Sequence, residues 1–417
     1  MPEYWKRAAA QPEAITQGVR DTVSEILLAV EREGEPAVRR YSAALDGWSP
    51  PSFRVETVPE ISVELRDHID DSLTQVRGFA AAQRATLRDL EVETLPGITL
   101  GHRHVPVNAV GSYSPGGKYP LIGSSIMTVA VPKVAGVARV VACAPPRGGQ
   151  GIHPPQLYAM LASGADEVYC FGGVQALAAM AFGIDGLEPV DMIVGPGNAY
   201  VAEAKRQLFG PVGIDLIAGP SEILVLADES ADPDLVAADL LGQAEHGPTS
   251  PAILVTDSLD FGVAVRDAVE RWLHTWPTAE VAGAAWRSRG EIVVCEDYAE
   301  MARVSDQYAP EHLEVQTRDD AWFEAHLTNY GSLFVGERAT VAYGDKAIGV
   351  NHVLPTERAA RYTGGLWVGK FLKTLTYQRL TDAGTARIAP VVAAICDAEE
   401  MHGHAITARL RMARVPA

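Results

Sequence analysis

Two short stretches of the sequence combine residue types that could do chemistry. Gln243 and His246 lie three apart in LLGQAEHG, a spacing that places both side chains on one face of a helix. Histidine is a common zinc ligand, and a glutamine oxygen is an unusual, weaker one. Glu311 and His312 are adjacent in APEHL, where a carboxylate and an imidazole could act as a general acid/base pair. Each stretch has an ordinary alternative, since His246 could cap a helix end and Glu311 could begin a solvated helix.

Two stretches near the C-terminus add further candidates. A loop predicted over 344–356 contains Asp345, Asn351 and His352, and a loop with these residue types binds a ligand more often than it packs. The last predicted helix contains Glu399 and His404 in AEEMHGHA. Alone, that text is typical of a surface helix.

A glycine-rich turn is a candidate phosphate site. GxGxxG, GxxxxGK[ST], GxSxG and HExxH are absent from the sequence, which excludes the usual signatures of dinucleotide, ATP, hydrolase and zinc-protease sites. Gly195-Pro196-Gly197-Asn198 stands between a strand-like and a helix-like run, where backbone can approach an anion. A tight turn without a ligand is the alternative.

Alternating short apolar runs and helical stretches must position these residues. From Val110 to residue 218, segments with strand-like patterns alternate with segments with helical patterns. A second set of alternating strand-like and helical segments follows from residue 222 onward. This pattern predicts βαβ units with mostly parallel sheets, and therefore an α/β fold. Helices are predicted over 14–45, 60–92, 298–314 and 388–412.

Composition narrows the class of protein. The 417 residues are 47% hydrophobic and 21% charged, as in a globular protein, and the net charge is −18. Such an acidic chain is expected to bind neither nucleic acid nor a membrane surface. No segment is apolar enough to span a bilayer, and the first residues lack the pattern of a secretory signal. The four scattered cysteines favour a reducing compartment, so we expect a cytoplasmic protein.

Eight blocks of sequence, in one order, resemble the histidinol dehydrogenase family. They are the YSPGG that begins at Tyr113, GGVQALAAMAFG, VGPGNAYVAEAK, GIDLIAGPSE, DLLGQAEHG, APEHLE, NHVLPT and AEEMHGHA. The resemblance implies an NAD-dependent zinc enzyme that oxidises a primary alcohol through an aldehyde to a carboxylate. It also implies an intertwined homodimer with two incomplete Rossmann-like domains.

The resemblance also implies roles for individual residues. The implied ligands of one zinc ion per subunit are Gln243, His246, Asp345 and His404 of the partner subunit. The implied acid/base pair is Glu311 and His312, with neutral His312 as the base and Glu311 activating water. The implied substrate contacts are Ser221, His352 and Glu399. The implied nucleotide contacts are Tyr113, Gln175 and Asn198.

A domain division follows from the same resemblance. Residues 1–13 form an N-terminal arm. Residues 14–112 and 222–365 form a first α/β domain with the metal and acid/base residues, and 113–221 form the NAD-binding domain. Residues 366–417 form a helical domain that reaches into the partner's site.

Two departures from the family pattern concern the substrate. Gly123 stands where the histidinol enzymes usually carry a hydroxyl residue, and Lys346 stands where they usually carry an aromatic residue. A cation beside the zinc site favours an anionic substrate over the protonated amine of histidinol. The surrounding text is similar to the sulfopropanediol dehydrogenase branch, which oxidises 2,3-dihydroxypropane-1-sulfonate to sulfolactate.

Several alternatives stay open. Lys346 could be a solvent-facing loop residue, with L-histidinol as the substrate, or the chain could be a non-catalytic metal-binding homologue. The basic residue that holds an anionic tail could be Lys118, Lys346, Arg361 or Lys370. Neither the choice between NAD and NADP nor that between zinc and manganese follows from the sequence.

Overall fold

The computed structural model describes residues 2–9, 16–117, 119–217 and 219–416, so the prediction for Lys118 and part of the predicted N-terminal arm lie outside the described residues. Its strands are β1 (Glu3–Lys6), β2 (Leu90–Leu95), β3 (Ile98–Pro106), β4 (Ala109–Tyr113), β5 (Arg139–Ala144), β6 (Glu167–Cys170), β7 (Met192–Val194), β8 (Gly213–Ile214), β9 (Ile223–Ala227), β10 (Ala252–Thr256), β11 (Gly290–Val294), β12 (His312–Gln316), β13 (Ser332–Val335) and β14 (Leu372–Leu380). Its α-helices are α1 (Gln17–Glu33), α2 (Glu35–Asp46), α3 (Val63–Thr86), α4 (Ile122–Ala135), α5 (Pro154–Ser163), α6 (Gly173–Phe182), α7 (Ala199–Leu208), α8 (Pro233–Ala244), α9 (Leu259–Leu273), α10 (Ala279–Arg289), α11 (Tyr298–Tyr308), α12 (Asp320–His326), α13 (Val341–Lys346), α14 (Asp382–Ala398) and α15 (His402–Met412).

The strands form two parallel α/β sheets and a small antiparallel sheet. The five-stranded sheet has the order β6-β5-β4-β7-β8, and all its pairings are parallel. The six-stranded sheet has the order β1-β11-β10-β9-β12-β13, in which only β1 is antiparallel to its neighbour among the described strands. The antiparallel sheet has the order β14-β3-β2. The predicted α/β fold with parallel-sheet cores is therefore confirmed.

Helices cover both faces of each parallel sheet, because the strands are apolar on both sides. ILVLA in β9 is buried at every position, as parallel strands between two helical layers require. Helices α1 and α2 pack on α6 and α7, and their Val23, Ile26 and Val38 belong to the core that these helices share with the five-stranded sheet. The family resemblance implies a domain that joins residues 14–112 to 222–365. In the structure, α1 and α2 share their core with the five-stranded sheet, which is formed by strands β4 to β8.

The chain after residue 371 forms an arm. Strand β14 pairs with β3, and α14 and α15 pack mainly on each other through Ala389, Ala393 and Ala408. The sequence predicts one helix over 388–412, but a turn interrupts it, with Glu400 at a φ of 57°. Among the described residues, no helix combines the length and apolar character that crossing a membrane requires.

Candidate active site

The predicted acid/base pair lies at the amino end of a central strand. Helix α11 ends at Tyr308, Ala309 adopts a left-handed φ of 47°, and Pro310 follows. His312 is the first residue of β12, which pairs with β9 and β13 on its two sides. The predicted helix over 298–314 is therefore wrong beyond Tyr308, because Pro310 and the burial of HLEVQ inside the sheet override helical periodicity.

Hydrogen bonds fix which nitrogen of His312 is free. The ring is 3% exposed, and its Nδ1–H donates to the backbone carbonyl of Glu222 at 3.0 Å, since a carbonyl can only accept. The Nε2 atom is buried, has no hydrogen-bond partner among the described residues, and lies 3.9 Å from Oδ1 of Asp345. When the ring is neutral, this nitrogen is the acceptor that the site presents to a substrate.

Electrostatics strengthen proton binding at His312. Burial opposes its ionisation, but the nearby Glu311 and Asp345 carboxylates outweigh burial and raise the pKa of His312 to about 9. Glu311 Oε2 lies 3.4 Å from Nδ1. The sequence predicts a neutral imidazole that titrates near working pH, whereas these two carboxylates favour the imidazolium.

A second carboxyl, which the sequence analysis missed, lies beside Glu311. The backbone N–H of Glu222 donates to Glu311 Oε2 at 2.9 Å, and the N–H of Glu311 donates to Glu222 Oε1 at 3.3 Å. Burial, followed by the negative charge of Glu311, raises the pKa of Glu222 to about 8. Its signal in the sequence was its place in AGPSE, directly after the predicted substrate residue Ser221, which is half-buried at the start of β9.

Three of the four predicted zinc ligands lie near this pair. Gln243 ends α8 with its Nε2 3.3 Å from His312 Nδ1, and His246 follows the helix with its N–H bonded to the Gln243 carbonyl. Burial lowers the pKa of His246 against the opposing charge of Asp345. Burial disfavours ionised Asp345, yet the charges of His352 and His312 lower its pKa below the ordinary value.

Within one chain, the predicted zinc ligands form an incomplete donor set. Among the described residues, no group of three His, Cys, Asp or Glu side chains is arranged to hold a metal. Of the predicted zinc ligands, one chain contributes one histidine, His246, and one carboxylate, Asp345. A zinc ion here would also need the side-chain amide of Gln243 and a fourth ligand that these residues do not supply. The unpartnered Nε2 of His312 beside Asp345 shows that this space lacks a polar partner, which fits a bound metal and substrate.

His404 and Glu399 lie apart from these residues within one chain. His404 is exposed on α15, a helix that packs mainly on α14. Glu399 is the exposed residue that ends α14.

The predicted substrate residue His352 packs against helix α4. Its Nε2 lies 2.7 Å from Ser124 Oγ, and its Nδ1 lies 3.2 Å from the Asp345 carbonyl oxygen. A Cβ at Gly123 would lie 2.6 Å from that same oxygen, so the glycine permits this close approach. Lys346 Nζ lies 3.5 Å from Asp345 Oδ2, and the lysine side chain is 57% exposed.

The predicted nucleotide residues follow strands of the five-stranded sheet. Tyr113 ends β4 and its hydroxyl accepts the N–H of Gly173 at 3.3 Å. Gln175 donates to Asp46 at 2.9 Å, and Asn198 caps α7 by accepting two backbone N–H groups, each at 3.1 Å. The first amide of α6, that of Gly173, is therefore already bonded within the protein, although the helix has no side-chain cap from its N-cap residue Gly172.

Two parallel α/β sheets, with the buried Glu311 and His312 at the start of β12 in one of them, define the class as an α/β protein with a candidate active site. A family model described as histidinol dehydrogenase matches residues 9–412. A histidinol dehydrogenase homolog of Shouchella clausii is 49% identical, with 99% of each chain covered. Sulfopropanediol 3-dehydrogenase of Ruegeria pomeroyi is 46% identical, with 99% of this chain and 96% of that protein covered. The structure of histidinol dehydrogenase from Elizabethkingia anophelis matches with a TM-score of 0.91 and 32% identity, covering 97% of this chain and 94% of that one.

The chain belongs to the histidinol dehydrogenase family. It is an oxidoreductase that acts on CH–OH groups with NAD, and the predictions of family and enzyme class are confirmed. The family in general carries out a four-electron oxidation of an alcohol to an acid, depends on NAD and binds zinc.

Proposed function

We propose that the enzyme oxidises a short anionic diol, such as 2,3-dihydroxypropane-1-sulfonate, to the carboxylate with zinc and two NAD per substrate. The observation that carries the reaction is the buried, unpartnered Nε2 of His312 facing Asp345. The anionic substrate is supported by Lys346 at 3.5 Å from Asp345 and by the sulfopropanediol relative. L-Histidinol is the alternative substrate.

The residues of this chain have distinct roles in that reaction. Gln243, His246 and Asp345 would hold zinc, which when bound would polarise the substrate oxygen and offset the charge of Asp345. Offsetting that charge would favour the neutral imidazole of His312, which would then take the alcohol proton at Nε2, because its Nδ1–H is already donated to Glu222.

The second oxidation would use the neighbouring carboxylate. Glu311 would take a proton from the water that adds to the aldehyde, and its Oε2 is held in place by the Glu222 amide at 2.9 Å. NAD would accept a hydride in each oxidation. The buried position of Glu311 and His312 would keep the aldehyde from escaping.

We propose that NAD binds in a Rossmann-like domain formed by residues 113–221. Tyr113, Gln175 and Asn198 lie after strands β4, β6 and β7, at the carboxyl edge where α/β sheets bind ligands.

We also propose an intertwined homodimer in which His404 and Glu399 of the partner subunit complete each site. The support is that both residues are exposed in a C-terminal segment whose two helices pack mainly on each other, and that β2, β14, α14 and α15 carry exposed apolar residues. Those residues are Leu90, Val92, Leu95, Leu375, Leu380, Val391, Val392, Ile395, Ile406 and Leu410. An apolar surface of this extent is typical of a protein interface.

The substrate is tested by following NAD reduction with zinc-loaded enzyme, L-histidinol and both enantiomers of 2,3-dihydroxypropane-1-sulfonate. We expect one sulfonate enantiomer to yield two NADH per molecule, with little turnover of histidinol. Lys346→Tyr should raise the KM for the sulfonate. Turnover of histidinol alone, or an unchanged KM in the variant, would contradict the anionic substrate.

The shared site is tested by subunit exchange. His404→Ala and His246→Ala homodimers should both be inactive, and a mixed dimer should regain activity because one of its two sites holds all native groups. Absence of recovery after mass spectrometry has shown mixed dimers would exclude the shared site.

A further inference from the structure

Two carboxyl groups are in direct contact beneath the candidate active site. Asp239 on α8 and Glu314 on β12 hydrogen-bond to each other, and Glu314 is 1% exposed. Neither carboxyl takes part in an ion pair among the described residues. Burial and then the charge of Asp239 raise the pKa of Glu314 well above its usual range, so the pair shares a proton.

The remaining bonds of the pair join three elements. Thr340, which precedes α13, donates to Asp239 Oδ1 at 3.0 Å, and Gln316 of β12 donates to Asp239 Oδ2 at 3.0 Å. The N–H of Val341, the first residue of α13, donates to Glu314 Oε1 at 3.1 Å. The pair therefore ties α8 and α13 to β12.

Each of these elements carries one residue of the site. Gln243 lies four residues after Asp239 on α8, a spacing that puts both on one helix face. His312 lies two residues before Glu314, on the same face of β12. Asp345 lies near the end of the six-residue helix α13, whose first amide Glu314 binds.

We propose that Asp239 and Glu314 are positioning residues, whose contact with each other and hydrogen bonds to Thr340 and Val341 set the spacing of Gln243, His312 and Asp345. The inference rests on the proposed function, since those residues are the proposed metal ligands and base. The short distances in the site depend on this spacing, with Gln243 Nε2 at 3.3 Å and Asp345 Oδ1 at 3.9 Å from the His312 ring.

The test measures metal binding by the full-length protein, without reference to turnover. Zn²⁺ affinity is measured by competition with a chromophoric chelator, and Co²⁺ absorption reports the coordination geometry. Glu314→Ala should weaken Zn²⁺ binding about 10- to 100-fold, as loss of an orienting contact typically does, and should change the Co²⁺ spectrum. Glu314→Gln should retain wild-type affinity, because its NH₂ replaces the shared proton and its carbonyl still accepts from Val341.

A milder variant and a control separate positioning from stability. Thr340→Val leaves both carboxyls in place and removes one hydrogen bond between α13 and α8, so it should weaken Zn²⁺ binding about fivefold even if Glu314→Ala does not fold. Asp306→Ala is the control, because Asp306 on α11 bonds Thr328 and Asn329 and none of the three proposed site residues. This variant should leave the Zn²⁺ affinity unchanged.

The outcomes distinguish the two proposals. If the wild-type protein binds no Zn²⁺, the proposed function fails and this inference fails with it. If the wild-type protein binds Zn²⁺ and Thr340→Val and any folded Glu314→Ala bind it equally well, only the positioning role is overturned. Loss of affinity in Asp306→Ala to the same extent would also overturn it, because general destabilisation would then explain the effect.

Discussion

A buried ion pair supports the proposed nucleotide turn, and removing one partner should be costly. Lys205 on α7 and Asp215 after β8 are 2% and 5% exposed and contact each other. Lys205 Nζ also donates to the Gly195 carbonyl at 2.9 Å, and the Gly195 N–H donates to Asp215 Oδ2 at 2.8 Å. Both backbone polar groups of Gly195 therefore depend on this pair.

The size of the effect follows from burial. Lys205→Met leaves the Asp215 charge without a cation and the Gly195 carbonyl without a donor, and breaking a buried pair in this way costs about 3–5 kcal/mol. With an m-value of about 3 kcal/mol/M, the urea midpoint should fall by about 1 M. Lys205→Met/Asp215→Asn removes both charges, so it should cost less than the sum of the two single variants.

Urea unfolding followed by circular dichroism measures these costs, and NADH titration by fluorescence measures the effect on the turn. We expect the Kd for NADH to rise in Lys205→Met, since Gly195 precedes the predicted nucleotide residue Asn198. Lys133→Met is the matched control, because its pair with Asp166 is partly solvated and should be worth less than about 1 kcal/mol. Equal costs for Lys205→Met and Lys133→Met would refute the reasoning.

Three further predictions concern the active site. Gly123→Ala places a Cβ 2.6 Å from the Asp345 carbonyl oxygen. Overpacking of about 1–3 kcal/mol that displaces Asp345 should lower kcat/KM about fivefold or more, and unchanged kinetics would contradict the close approach. Glu222 has a folded-state pKa raised from 4.5 to about 8, so its stabilising contribution is complete below 4.5 and is lost as pH rises through 8. Thermal midpoints of the wild type should therefore fall relative to Glu222→Gln over that range, and parallel curves would exclude the shift. Added Zn²⁺ should raise the thermal midpoint of chelator-treated wild type but not of His246→Ala, and an equal rise in both would place the metal elsewhere.

The sequence by itself determined the class of fold and the residue types of the site. Continuous apolar runs such as ILVLA in β9 are possible only in strands covered on both faces, so they indicate parallel sheets without any coordinates. Glu311, His312, Gln243 and His246 stand out because the family motifs that contain them occur in one order, and Asp345 stands six residues before the block NHVLPT. The family and enzyme class followed from that order and are confirmed.

Only the tertiary structure decided how the site residues are held. DQYAPEHLE has a local pattern that continues a helix, yet its last residues lie between β9 and β13, where sheet pairing outweighs helix propensity. Contacts between residues that are far apart along the chain also cannot be predicted from local sequence patterns. Asp239 meets Glu314, Glu222 meets Glu311, and His352 meets Ser124, because the chain brings distant elements together.

The division has a physical reason. Hydrophobic periodicity and the residue preferences of turns act over a few neighbouring residues, so secondary-structure elements and motifs can be predicted from the amino-acid sequence. The tautomer of His312, the raised pKa of Glu222 and the shared proton at Glu314 depend on burial and on charges from other elements. The tautomer and the two protonation states are therefore set only when these elements pack together in the folded protein.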